Sequence, residues 1–268
     1  MEPSLHPHVR AYYERGGEEI RLAEDAGRPA DARLEFWRTQ DVLRRALPAP
    51  PARVLDVGGA SGVHAVWLTA DGYDVELVDP VELHVRQARE RGLTARIGDA
   101  RRLREEDSSF DAVLLLGPLY HLPERADRVR ALVEAARVAR PGGVVAAASI
   151  SRWAPLNDGL LQGFYFEPDR RPGLLALLGT GHQPPETDIF TEAYFHDPAD
   201  LAGEFADAGL VDPVTAGLEG TAWLVAGMPE RLDDPEQRAA VLEALRLVER
   251  EPALLGVSAH LLTVARAA

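Results

Sequence analysis

The most chemically suggestive run in this 268-residue chain is Val54-Leu55-Asp56-Val57-Gly58-Gly59-Ala60-Ser61-Gly62-Val63. It reads as a buried strand, a turn of small residues and the start of a helix. Small side chains let a ligand approach the backbone, and glycine permits the tight turn. The helix beyond begins with unpaired N–H groups. Taken alone, the run fits either a nucleotide-type site or a plain tight connection. Three further stretches favour a site. Val75-Glu76-Leu77-Val78-Asp79, followed by Pro80, ends in an acid about twenty residues after the glycines, where a carboxylate takes both hydroxyls of a ribose. Ile97-Gly98-Asp99-Ala100 puts a second acid beyond a short strand, suited to accept from an adenine amino group. A fourth apolar run ends at Gly117-Pro118, where the chain must open to admit a ligand. Asp79 or Asp99 singly could equally cap a helix. Together the four features fall at the carboxyl ends of consecutive strands, where open α/β sheets bind ligands. Gly58 and Gly62 have no third glycine in register. The dinucleotide pattern G-x-G-x-x-G is therefore not met, and a nicotinamide cofactor is disfavoured.

This set resembles the class I S-adenosylmethionine-dependent methyltransferases, from Arg53 to the end of the chain. Asp56-Val57-Gly58-Gly59-Ala60-Ser61-Gly62 is similar to that family's first motif, Asp79 to its second and Gly98-Asp99-Ala100 to its third. Phe110-Asp111-Ala112-Val113-Leu114-Leu115-Leu116-Gly117-Pro118-Leu119-Tyr120-His121-Leu122 and the turn Arg140-Pro141-Gly142-Gly143 are also family-like. The resemblance implies a doubly wound, mostly parallel seven-stranded sheet whose last strand runs antiparallel between its neighbours. It implies S-adenosylmethionine as cofactor and S-adenosylhomocysteine as product, held by Asp56, Gly58, Gly59, Ala60, Gly62, Asp79, Pro80, Asp99, Ala100 and Gly117. Ala60 departs from the pattern, standing where the family usually has its middle glycine.

Methyl transfer from a sulfonium is an in-line displacement with an excellent leaving group, so alignment supplies much of the rate. A base is needed only where the attacking atom carries a proton, as a hydroxyl does. Relatives that methylate nucleobase or glutamine amides resemble each other in an Asn/Asp-Pro-Pro-aromatic motif after strand four. Here that place reads Gly117-Pro118-Leu119-Tyr120, which argues against nucleobase work. Metal-assisted catechol methyltransferases need acids at the ends of strands four and five, where this chain has Gly117 and Ser149-Ile150-Ser151. No catalytic metal is expected, and His6 and His8 read as solvated. The expected catalytic candidates are His121, His196 and Tyr120, with histidine the natural base near neutral pH. Either histidine could instead pin a loop through backbone hydrogen bonds. The expected substrate-facing residues are Tyr13, Arg21, Tyr120, Trp153, Tyr165 and Tyr194. The expected acceptor is an N or O atom of a small metabolite, plausibly of specialised metabolism. A protein or peptide substrate and a non-catalytic, cofactor-binding regulator are the alternatives.

The elements that must position these groups follow from periodicity. Residues 9–24 and 30–47 carry apolar positions at helical spacing, and residues 1–50 read as a helical cover. Pro48, Pro50 and Pro51 end the second helix. From residue 51 the methyltransferase domain begins, with apolar runs at 54–57, 75–78, 95–97, 112–116 and 144–150. Helical stretches near 61–71, 81–91 and 124–139 lie between them, the alternation of a parallel sheet covered on both faces. Residues 151–196, rich in aromatics, Pro and Gly, read as an irregular lid. Asp197-Pro198 and Asp234-Pro235 then start helices, a strand is expected near 211–216, and 258–265 forms the last strand.

Composition narrows the function classes. Net charge is −14 and every one of the 29 basic residues is Arg, so nucleic-acid backbones and anionic lipid faces are repelled. Cysteine is absent, which removes disulfides, thiolate metal sites and Cys nucleophiles. Absence of Lys removes Schiff-base chemistry. The start Met1-Glu2-Pro3-Ser4-Leu5-His6 lacks the basic-then-apolar pattern of a signal peptide. A cytoplasmic monomer or homodimer acting on a small molecule, without nucleic acid or membrane, is expected.

Overall fold

The computed structural model describes residues 6–14, 30–185 and 190–268. Two helices come first, α1 (Pro7–Glu14) and α2 (Ala30–Ala46). Then β1 (Arg53–Val57), α3 (Val63–Ala70), β2 (Asp74–Asp79), α4 (Glu82–Glu90), β3 (Thr94–Ile97), β4 (Phe110–Leu115), α5 (Arg125–Val138) and β5 (Ala139–Ser151) follow. They lead to α6 (Ala154–Gln162), α7 (Arg171–Thr180), β6 (His182–Gln183) and β7 (Ala193–His196). After these come α8 (Pro198–Asp207), β8 (Leu210–Gly217), α9 (Met228–Asp233), α10 (Pro235–Val248), α11 (Pro252–Leu255) and β9 (His260–Ala267).

The sheet runs β3-β2-β1-β4-β5-β9-β8, and β9 pairs antiparallel with both β5 and β8. This is the expected doubly wound α/β order. The strands β1, β2, β4 and β5 pair in parallel and are buried on both faces. Alternate residues therefore feed two separate cores. Val54, Leu77, Leu114 and Ala146 pack under α2, α3 and α4 through Leu43, Leu68 and Val85. Leu55, Val113 and Val145 pack under α5 and α8 through Leu132 and Phe205. The Asp197 and Asp234 side chains cap α8 and α10 as their Asp-Pro spacing predicts.

Two expectations are corrected. The stretch 151–196, expected to be irregular, contains α6 and α7 among its described residues. Pro155 and Pro172 sit in the first turns of those helices, where a missing N–H costs nothing. In sequence the overall Pro and Gly content of this stretch reads as irregular. β7 then pairs with β5 at Ile150 and Ser151, just beyond the residues of β5 that pair with β4. The insertion thus returns to the sheet at the carboxyl end of β4. The first helix ends at Glu14 in the described residues, and residues 15–29, Arg21 among them, lie outside those described. Among the described residues no helix is long and apolar enough to cross a membrane.

One polar knot ties this end of the sheet together. Arg128 on α5 and Glu204 on α8 are both buried and paired at 2.7 Å. Arg128 Nη1 also donates to the carbonyls of Leu122 and Pro123, at 3.0 and 2.7 Å. Its guanidinium stacks 3.7 Å from the Tyr194 ring centroid, a cation–π contact. Burial pushes the Glu204 carboxyl up, but hydrogen bonds from His196 and Arg128 outweigh it and hold it at about 2.

Arg128→Ala leaves Glu204 buried with only the 3.4 Å contact to His196, and is expected to cost about 3–5 kcal/mol in urea unfolding. The pair's contribution is full above the ordinary glutamate range of about 4. It is lost as pH falls towards about 2. In Arg128→Ala that acid-limb loss should shrink.

Candidate cofactor and acceptor site

A cavity opens at the carboxyl ends of β1, β2, β3 and β4, floored by the turn after β1. Gly58 has φ +70°, and a Cβ there would fall 2.6 Å from Pro118 Cγ. A Cβ on Gly59 would fall 2.5 Å from Asp56 Oδ2. Both positions thus admit only glycine, and the floor is bare backbone. Ala60 lines the cavity at φ +48°, the left-handed region that costs a residue with a Cβ about 1–2 kcal/mol. Gly62 does not line it; a Cβ there would meet Leu93 where α3 begins.

The Asp79 carboxylate holds Ala60 in place. Its Oδ2 accepts the Ala60 N–H at 3.0 Å. Its Oδ1 accepts the Val81 N–H at 2.8 Å and the His84 Nδ1–H at 3.1 Å. Asp79, Pro80, Asp99, Ala100 and Gly117 all line the cavity with Gly58, Gly59 and Ala60. Arg101 grips Asp99 with its backbone N–H and its guanidinium, at 2.8 to 3.0 Å. Those hydrogen bonds overcome burial and hold Asp99 below the usual carboxylate range. Asp56 lies beneath the floor rather than on the cavity wall. It is fully buried and neither oxygen has a hydrogen-bond partner. Burial, reinforced by the charge of Asp79, pushes its carboxyl up to about 7.

The facing wall carries Tyr13, Tyr120 and His121. His121 and Tyr120 sit on a single 3-10 turn, Leu119–His121, directly after β4. His121 Nδ1 lies 3.4 Å from the Glu192 carbonyl and Nε2 lies 2.6 Å from the Tyr13 hydroxyl. A carbonyl only accepts, so Nδ1 carries the ring proton and Nε2 receives the Tyr13 O–H. This pair joins the first helix to the loop after the fourth strand.

The other expected residues are elsewhere. His196 is fully buried, 3.4 Å from Glu204, and burial lowers its pKa. It belongs to the Arg128 knot, away from the cavity wall. Tyr194 packs between Arg128 and Arg152, Tyr165 under Arg171 and Trp153 against Gly256. None of the three lines the cavity. Their aromatic character suited a substrate wall equally well, and only packing separates the two uses. Three polar cavity residues were missed: His64, His84 and Arg101. His84, one turn into the helix after Asp79, was the readable signal. Among the described residues no group of three His, Asp or Glu side chains is placed to hold a metal ion.

Residues 54–143 match a family model described as a methyltransferase domain. The chain is 35% identical over 174 residues to a demethylmenaquinone methyltransferase of Beutenbergia cavernae, covering 63% of this chain and 68% of that one. It belongs to the class I S-adenosylmethionine-dependent methyltransferases. Against methyltransferase GfsG of Streptomyces halstedii the identity is 32% over 139 residues, 47% of this chain and 49% of that one. The chain spans 39–45% of the mycobacterial curated relatives it matches. A solved Thermotoga maritima structure described as a possible histamine N-methyltransferase shares the fold with TM-score 0.59 and 18% identity, over 97% of this chain and 100% of that one. The residues present suit the cofactor this methyltransferase family uses. The floor is glycine backbone, and the carboxylates of Asp79 and Asp99 stand along the wall, acceptors suited to hydroxyl and amino donors.

Ala60→Gly should stabilise the protein by about 1 kcal/mol by releasing the left-handed Ala, read as a higher urea midpoint. Asp56 gives a pH signature. Unfolded, its carboxyl ionises near about 4; folded, it does so near about 7. Folding therefore retains a proton across that window, and stability falls as pH rises through it. Measured against Asp56→Asn without cofactor, the wild type should lose stability from pH about 4 to about 7 and then level off.

Proposed function

We propose that this methyltransferase transfers the S-adenosylmethionine methyl group to a hydroxyl-type oxygen, phenolic or enolic, of a small and partly apolar molecule. The observation that carries this reading is the 2.6 Å contact between the Tyr13 hydroxyl and His121 Nε2 on the cavity wall. Bound on the glycine floor, the cofactor supplies an electrophilic methyl group on a cationic sulfur. The chain's own task is then to hold the acceptor in line and remove its proton. Tyr13 oxygen takes the acceptor's proton as its own passes to His121 Nε2. The resulting imidazolium keeps its Nδ1–H on the Glu192 carbonyl. A neutral amine would need no such relay, so the pair favours oxygen over nitrogen. Val9 and Tyr13 of α1 line the cavity, which suits a metabolite enclosed beneath a cover more than an extended peptide.

A second reading is methylation at carbon. It is favoured by the 35% identity to the Beutenbergia cavernae demethylmenaquinone methyltransferase. Removing a phenolic proton moves charge onto ring carbons, so the same relay would serve. Product analysis separates the two.

Turnover is measured as S-adenosylhomocysteine release with phenols, enols, hydroquinones and amines. Tyr13→Phe and His121→Ala should each lower kcat on the best acceptor by on the order of 10²–10⁴. Calorimetric affinity for S-adenosylhomocysteine should stay unchanged. Wild-type turnover in both variants would falsify the relay.

A further inference from the structure

Residues 190–192, near the end of the insertion, form a seat between the first helix and the acceptor wall. The Phe190 ring centroid lies 5.6 Å from that of Tyr12 and 5.7 Å from that of His121. Glu192 reaches both sides with different groups. Its main-chain carbonyl receives His121 Nδ1–H at 3.4 Å. Its carboxylate, 12% exposed, has Oε2 3.0 Å from Nδ1 of His6, the residue just before α1. Its Oε1 accepts from His182 Nε2 at 3.3 Å. The seat is rooted in the sheet. The Thr191 carbonyl receives Gln183 Nε2 at 3.2 Å, and Ala193 opens β7, which pairs with β6 and β5.

The Tyr13–His121 contact joins two elements far apart in the chain, and a hydroxyl 2.6 Å from an imidazole nitrogen tolerates little relative drift. The helix that carries Tyr13 has only eight residues. Alone in water so short a helix is marginal, so its place must come from what it rests on. Both sides of the contact lead back to Glu192. The imidazole is fixed through the Glu192 carbonyl, and α1 is held at its start through the Glu192 carboxylate. We propose that Glu192 is a positioning residue for the proton relay, setting α1 and His121 in register so that the Tyr13 hydroxyl falls on His121 Nε2. His6, which reads in sequence as solvated, is then the tether of the helix. An ion pair with a half-exposed partner contributes little to overall stability. Here it decides where a short helix lies. That role rests on the Tyr13–His121 relay proposed above.

Hydrogen exchange of the α1 amides from Arg10 to Glu14 tests the seat without any acceptor. Glu192→Ala and His6→Ala should each speed it ~5-fold, the size of one net polar contact. The double variant should match Glu192→Ala, since both substitutions remove the same contact. The Glu192 carbonyl stays in place throughout, so the change reads the α1 tether by itself. In turnover, Glu192→Ala should lower kcat on the best acceptor by a similar factor. In a Tyr13→Phe background it should have no further effect, because no hydroxyl is left to register. An equal loss of kcat in both backgrounds marks a merely structural residue and overturns the proposal. Wild-type exchange or wild-type kcat in Glu192→Ala overturns it too, as do losses that add with His6→Ala. Should Glu192→Ala not fold, His6→Ala, changed at a half-exposed side chain, carries both measurements. Wild-type turnover in Tyr13→Phe and His121→Ala would instead remove the relay on which it rests.

Discussion

The site depends on one carboxylate doing the work of a backbone. β1 and β2 lie side by side, with Val57 opposite Val78, so the loops that leave them compete for the same space. Gly58 N–H still donates to the Val78 carbonyl at 2.6 Å, but the next N–H groups leave the ladder. Asp79 resolves this by accepting from Ala60 on one loop and Val81 on its own. Buried donors left unmatched would each cost about 1–3 kcal/mol. The consequences spread outward. Ala60 is held at positive φ, the turn stays open above glycine backbone, and Asp56 beneath it feels the Asp79 charge and is pushed up to about 7.

The facing wall is fixed by a different device. Tyr120 and His121 lie on one short turn after β4, which would swing freely if nothing held its far end. Arg128 holds it by donating to the carbonyls of Leu122 and Pro123, while Glu204 neutralises the buried guanidinium. An apolar replacement could fill the same volume, but it could not receive two carbonyls. His196 and Tyr194 complete this knot. Their side chains serve position, whereas His121, one of three histidines lining the cavity, meets the Tyr13 hydroxyl.

Because Tyr13 comes from α1 and His121 from the turn after β4, the proposed relay needs the first helix against that turn. The proposed acceptor chemistry would therefore sit on the wall opposite the strand ends that line the cavity floor.

Much of this was legible in the residues. The strand periods, the Gly58–Gly62 turn and the acids after β2 and β3 report local constraints, since strand alternation, tight turns and caps involve neighbours in the chain. Hence the α/β order and the cofactor floor could be read directly. The Pro and Gly content of 151–196 misled because proline breaks a helix in its interior but fits in its first turn, as at Pro155 and Pro172. The roles of His196, Tyr194, Trp153 and His84 turned on partners far along the chain or on which way a buried ring faces. A histidine beside a buried arginine pair is structural, whereas one beside a tyrosine at a cavity wall can move a proton. The chain by itself determined which groups could bind a sugar diol or take a proton. Tertiary packing alone decided which of them meet, because burial and long-range hydrogen bonds, not residue type, leave an acceptor open or close it off.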